Sequence, residues 1–177
     1  MKTPIIKRLI FIGSFDPPHI AHREILKSAI QKIRPDYVEI ILTEQKSIAK
    51  PRRLLSAKQR LICARALFGD LHPQPVIRSD FTNSNSVRLD QFIDRNQHEQ
   101  IFILLGEDKL PNLVQSSKLL SARIHCLVAP RLSSAQQLRQ RLRRQFREIA
   151  QYITVLPATP ANVRRLSSTL IKEDRHD

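Results

Sequence analysis

Two histidines stand three residues apart in the stretch "GSFDPPHIAH", Gly13 to His22. The whole chain holds six histidines and three glycines, so this run concentrates scarce residue types. Gly13 lets the chain turn sharply and lets a ligand approach the backbone. Pro17 and Pro18 stiffen the loop that follows. If a helix starts here, His19 and His22 share one face of it. The mouth of that helix offers unpaired N–H groups and the positive end of a dipole, a setting suited to phosphate. Two imidazoles placed there can donate to phosphate oxygens. The plainer reading of such a pair is that one ring caps and packs while the other is solvated. A metal site is the weakest reading, because no third His, Cys or carboxylate follows at zinc spacing.

The elements that must position this loop can be read from periodicity. "KRLIFIG" (Lys7–Gly13) is a short buried strand that leads into it. Ala21–Ile33 follows with apolar residues at helical spacing, then a strand over Asp36–Thr43. Ser56 caps a helix over Ala57–Phe68 that ends near Gly69. Strands are expected at Gln74–Asp80, Glu99–Gly106, Ala122–Pro130 and Tyr152–Ala158. Helices are expected at Val87–Asn96, Ser133–Ala150 and Ser167–Glu173. Strands alternating with helices imply βαβ units. The fold class is therefore α/β: a Rossmann-like, doubly wound, mostly parallel sheet with helices on both faces. No repeat or linker divides the chain, so one domain spans residues 1–177.

In such a sheet, ligands bind beyond the carboxyl ends of strands, where the strand order reverses. That rule selects the loop Gly13–His22, the loop "GEDKLPN" that begins at Gly106, and the segment "RRLSSTLIK" after the final strand. Within the last, Ser167, Ser168 and Thr169 read by themselves as an ordinary helix N-cap.

Composition narrows the setting. Thirty Lys and Arg against sixteen Asp and Glu give the 177 residues a net charge of +14. Such a field attracts nucleic acid, acidic lipid headgroups or phosphorylated small molecules. No apolar run approaches the ~20 residues of a membrane span. The apolar start is broken by Lys7 and Arg8, and no small-residue cleavage site follows. Cys63 and Cys126 are isolated, which suggests a reduced, cytoplasmic protein.

"GSFDPPHIAH" resembles the G-x-F-D-P-x-H-x-G-H signature of the H-x-G-H nucleotidyltransferase superfamily, with Gly13, Phe15, Asp16, Pro17, His19 and His22 in register. "LSSTLIKE" (Leu166–Glu173) resembles that superfamily's I-S-S-T-x-I-R element. "FILLGEDKLPNL" (Phe102–Leu113) is similar to the G-A-D-x-L and L-P-x-W run of its bacterial nicotinate-mononucleotide adenylyltransferase branch, and "CLVAPR" (Cys126–Arg131) to a V-V-P-R strand end. The likeness spans Ile10 to Lys172. Four departures accompany it. Ala21 replaces glycine, Lys172 replaces arginine, Leu113 replaces tryptophan, and the segment Asp80–Asp90 lacks the branch's tyrosine. Asp177 falls a few residues after "SSTLIK", where relatives usually continue through another helix.

The resemblance implies an adenylyltransferase that moves AMP from ATP to a phosphate-bearing acceptor by direct in-line attack, releasing pyrophosphate. Nicotinate mononucleotide, a precursor of NAD, is the leading acceptor. It implies that His19, His22 and Lys172 act at the phosphates. It places Gly13, Ser14, Phe15, Asp16, His22, Gly106, Asp108, Ser167, Ser168 and Thr169 around ATP, and Lys50 and Arg60 at the acceptor phosphate. Mg²⁺ would arrive with ATP, with no metal site of the protein's own. Three other readings stay open: phosphopantetheine or another acceptor, a paralogue whose acceptor pocket is reassigned, and a basic nucleic-acid-binding protein. The last draws on "SAQQLRQRLRRQFREIA" (Ser134–Ala150), where Arg139, Arg141, Arg143, Arg144 and Arg147 lie largely away from the apolar face.

Overall fold

A computed structural model describes residues 5–43, 55–80, 92–110, 120–131 and 133–159. The expected helices at Ser167–Glu173 and over the first part of Val87–Asn96 lie outside them. Six strands form one sheet: β1 (Lys7–Gly13), β2 (Tyr37–Thr43), β3 (Val76–Asp80), β4 (Gln100–Gly106), β5 (Ile124–Ala129) and β6 (Ile153–Val155). Among the described residues, three helices accompany it: α1 (Ile20–Ile33), α2 (Ala57–Phe68) and α3 (Ala135–Gln145). A further helical turn covers 92–95. The strand order is β3-β2-β1-β4-β5-β6. Every pairing is parallel, which is stricter than the mostly parallel sheet expected.

The apolar runs of β1 and β4 form the centre because they are buried on both faces. Alternation along β1 sends Leu9 and Phe11 into one layer with Leu26 and Ala29 of α1 and Ala64 and Phe68 of α2. Ile10 faces the other layer with Ile93 and with Leu138 and Leu142 of α3. Each such aliphatic side chain contributes roughly 1.5–3 kcal/mol on full burial. Cys126 sits in this second layer, and burial pushes its thiol far above the ordinary range. No disulfide joins it to the exposed Cys63.

Helix starts follow side-chain chemistry. Ser56 and Ser134 each accept the backbone N–H of the residue three further on, and Gln59 and Gln137 return the bond. α3 is shorter than the expected Ser133–Ala150. It stops at Gln145 because Phe146 leaves helical geometry, with φ −133° and ψ 43°. Phe146 and Ile149 then pack on the second layer from a turn rather than a helix. β6 is likewise shorter than Tyr152–Ala158, with three residues paired to β5.

The two sheet ends differ in what they carry. At the amino end, Arg8 pairs with Glu39 at 2.6 Å and with Glu99 at 2.5 Å. At the carboxyl end the order reverses between β1 and β4, so the loops after these two strands open a crevice.

Candidate active site

The loop after β1 is not turned by its glycine. Gly13 ends β1, and a Cβ placed there would stand 3.1 Å from the Phe15 ring. The left-handed step falls instead at Phe15, with φ 44°. A non-glycine residue rarely holds that conformation, which costs of the order of 1 kcal/mol or more. Packing offsets it. The buried Phe15 ring lies edge-on to Phe11 at 5.0 Å, to His22 at 5.1 Å and to Phe68 at 6.0 Å.

His19 is the N-cap of α1, in extended geometry. Its backbone N–H donates to Nδ1 of His22 at 3.3 Å. An Nδ1 that accepts this bond leaves Nε2 as the ring nitrogen that carries a proton. The two rings lie 3.8 Å apart, tilted by 34°. The H-x-x-H spacing thus yields one cap and one ring packed against it, both at a helix N-terminus beside the crevice. Ala21, the departure from the family's glycine, is buried in the first turn of α1.

α2 holds this loop from behind. The buried Asp16 accepts the N–H of Leu55 through Oδ1 at 2.9 Å. Arg60 is 2% exposed. Its Nη1 donates to the carbonyl of Ser14 at 2.7 Å and to that of Thr43 at 3.0 Å. The loop after β1 and the end of β2 therefore share one buried cation. Arg60, expected at the acceptor phosphate, is buried beneath the loop, where two backbone carbonyls accept from its guanidinium. α1 is tied to the end of α2 in turn. Arg23 donates to the Leu67 carbonyl and pairs with Asp70 at 2.5 Å.

The second wall is the turn after β4. Gly106 is followed by a short 3₁₀ turn, Glu107–Lys109. A Cβ on Gly106 would lie 2.6 Å from Oδ1 of Asp108, so the missing side chain is what lets that carboxylate fold back. Asp108 is partly exposed, with Lys109 Nζ at 3.4 Å and Arg131 Nη1 at 3.9 Å. Glu107, which sequence reasoning did not select, is almost wholly buried and bonds the chain after β5. Its only signal was an acid between Gly106 and Asp108, where the resemblance has alanine.

The structure brings Gly13, Ser14, Phe15, Asp16, His19 and His22 together on the β1 loop, with Gly106 and Asp108 on the turn of the neighbouring strand. Lys50, Lys172, Ser167, Ser168, Thr169 and Leu113 lie outside the described residues. Among the described residues, no three His, Cys, Asp or Glu side chains gather as a metal would require. No helix among them is long and apolar enough to cross a membrane.

The parallel sheet in this order, with a helix mouth and two imidazoles at its reversal point, is a doubly wound α/β arrangement, a class in which ligands bind beyond the strand ends. The chain belongs to the Cytidylyltransferase-like family, whose model matches residues 10–174. It is similar to the "Probable nicotinate-nucleotide adenylyltransferase" of Albidiferax ferrireducens, 29% identical over 133 residues, covering 69% of this chain and 65% of that one. It is 30% identical over 108 residues to the protein of the same name from Sulfurovum sp., covering 60% and 57%. The chain thus matches under two thirds of the length of these relatives. The Plasmodium falciparum nicotinic acid mononucleotide adenylyltransferase complexed with NaAD superposes with a TM-score of 0.71 at 13% identity. That match covers 95% of this chain and 83% of the other, and it supports the fold.

Proposed function

We propose that this protein transfers AMP from ATP to the phosphate of a small acceptor, with nicotinate mononucleotide as that acceptor. The observation that carries the reading is the β1 loop. Its two adjacent imidazoles, 3.8 Å apart and tilted, sit at the mouth of α1, beside the reversal of strand order. The names of the relatives supply the acceptor.

In this reaction a phosphate oxygen of the acceptor attacks the α-phosphorus of ATP. One P–O bond forms, the α–β bridging bond breaks, and pyrophosphate carries away the electron pair. The acceptor phosphate is already an anion at neutral pH, so no strong base is required. The protein's work is positioning and charge neutralisation.

His22 donates from Nε2 to a phosphate oxygen, and His19 does so from the helix mouth. Gly13, Ser14 and Phe15 line the nucleotide side of the loop. Asp108 meets the ribose. Asp16 and Arg60 act as positioning residues that fix the loop through Leu55, Ser14 and Thr43. Ser167, Ser168, Thr169 and Lys172 hold the β- and γ-phosphates, and Lys50 holds the acceptor phosphate. ATP enters as its Mg²⁺ complex, as a substrate.

The test is pyrophosphate release from Mg-ATP with nicotinate mononucleotide, nicotinamide mononucleotide or phosphopantetheine, with His19→Ala as the blank. A clear preference for nicotinate mononucleotide is the expected result. A preference for another acceptor would replace the substrate, and silence across the panel would remove the activity.

A further inference from the structure

A carboxylate that is 2% exposed must be supplied with donors, because burying a charge without them is costly. Glu107 has four. Its Oε2 accepts the backbone N–H of Arg131 at 3.0 Å and that of Ser133 at 3.1 Å. Its Oε1 accepts the Ser133 hydroxyl at 2.6 Å and Nη2 of Arg141 at 2.7 Å. All four donors come from the chain between the end of β5 and the second turn of α3. Arg131 and Ser133 have left the sheet and precede the helix, so their backbone N–H groups need acceptors from elsewhere. Glu107 is that acceptor, and it projects from the turn after β4.

The same turn carries Asp108. The position of its carboxylate is set on one side by the bare Cα of Gly106 and on the other by Arg131, whose backbone Glu107 holds. We infer that Glu107 is a positioning residue of the nucleotide site. It locks the turns after β4 and β5 into one rim and so fixes Asp108 and Arg131 where they meet ATP. The inference rests on reading this crevice as the ATP site.

Calorimetric binding of Mg-ATP to the full chain tests it, with thermal unfolding in parallel. Glu107→Gln keeps the shape but turns an N–H₂ group toward donors, and should weaken ATP about tenfold, since small misplacements at a site cost that much or more. Ser133→Ala removes one bond and should weaken it about threefold. Glu99→Gln, in the ion pair at the far end of the sheet, should lower thermal stability yet leave ATP binding within twofold of wild type, on the order of experimental error. Where activity is measurable, KM for ATP should rise in Glu107→Gln while KM for the acceptor holds.

Wild-type affinity in Glu107→Gln, or an equal loss in Glu99→Gln, would overturn the proposal. If Glu107→Gln does not fold, Ser133→Ala decides alone, and unchanged affinity there overturns it. A wild-type protein that binds ATP but transfers nothing would remove the proposed reaction and leave this result standing. One that binds no ATP would remove both.

Discussion

Both ends of the sheet bury carboxylates against guanidinium groups, but these charges hold different things. At the amino end, Arg8 donates to Glu39 and to both oxygens of Glu99, and its guanidinium lies 4.6 Å from the centre of the Tyr37 ring. Side chain meets side chain, strand is joined to strand, and the hydrogen bond to Glu99 above all raises the Arg8 pKa. At the carboxyl end, Asp16, Arg60 and Glu107 reach backbone N–H and C=O groups of loops. Strands already satisfy their own backbone groups, whereas loops do not. A charge between strands adds stability to a sheet that pairs without it. A charge bonded to a loop decides where the loop is. The first kind can be exchanged for apolar contacts, and the second cannot.

The largest expected effect tests the carboxyl end. His19→Ala and His22→Ala should each lower turnover by at least ~10²-fold, the usual loss for one transition-state donor. Both rings also pack at the start of α1, so a modest fall in unfolding temperature should accompany the loss. Steady-state kinetics on folded variants checks this, and unchanged turnover would break the comparison at its functional side.

Next is Arg8→Met, which leaves buried Glu39 with the exposed Arg78 at 3.5 Å as its remaining ion pair among the described residues. Removing one partner of a largely buried pair should cost about 3 kcal/mol. Urea unfolding reads that loss, while kcat/KM per folded molecule should hold. A drop in kcat/KM would show that the two ends are coupled.

Gly106→Ala should have a smaller effect. Its Cβ would displace the Asp108 carboxylate. A displaced rotamer of about 1 kcal/mol corresponds to roughly fivefold weaker ATP binding. Equal affinity would place Asp108 outside the nucleotide contact.

The smallest effect concerns Asp70, whose carboxyl the Arg23 hydrogen bond holds below its ordinary value of 3.8. A pKa lowered by folding gives stability that is present above the unfolded value and lost as pH falls through the folded one. Asp70→Asn should therefore lower the unfolding temperature slightly at neutral pH, and the gap should close in acid. A gap that persists below the carboxylate range would assign the effect to geometry.

Much of this architecture was legible in the sequence. β1 and α2 match their expected bounds, because "KRLIFIG" is a compact apolar run and Ser56 with Gln59 marks a helix start. Two of the three loops selected, those after "FIG" and "LLG", flank the reversal between β1 and β4, which the strand order alone reveals. Periodicity failed at Phe146 and Ile149. Their spacing continues the α3 face, yet a turn can bury the same two side chains. Site roles were less legible where long side chains reach backbone. Arg60 looks like any surface arginine until Ser14 and Thr43 converge on it. Glu107 finds its donors in residues 131–141, so no local pattern announces them.

The strand order also has a meaning in time. β1 pairs on one side with β2, made soon after it, and on the other with β4. As the chain leaves the ribosome from its amino end, β3, β2 and β1 can assemble while the β4-facing edge of β1 stays open. That edge carries the apolar run from Leu9 to Ile12, and it stays bare until Gly106 emerges, on the order of ten seconds at ordinary synthesis rates. An unpaired apolar edge is a template for other strands. The same central position that aims the β1 loop into the crevice thus makes β1 the stretch a newborn chain must shield longest.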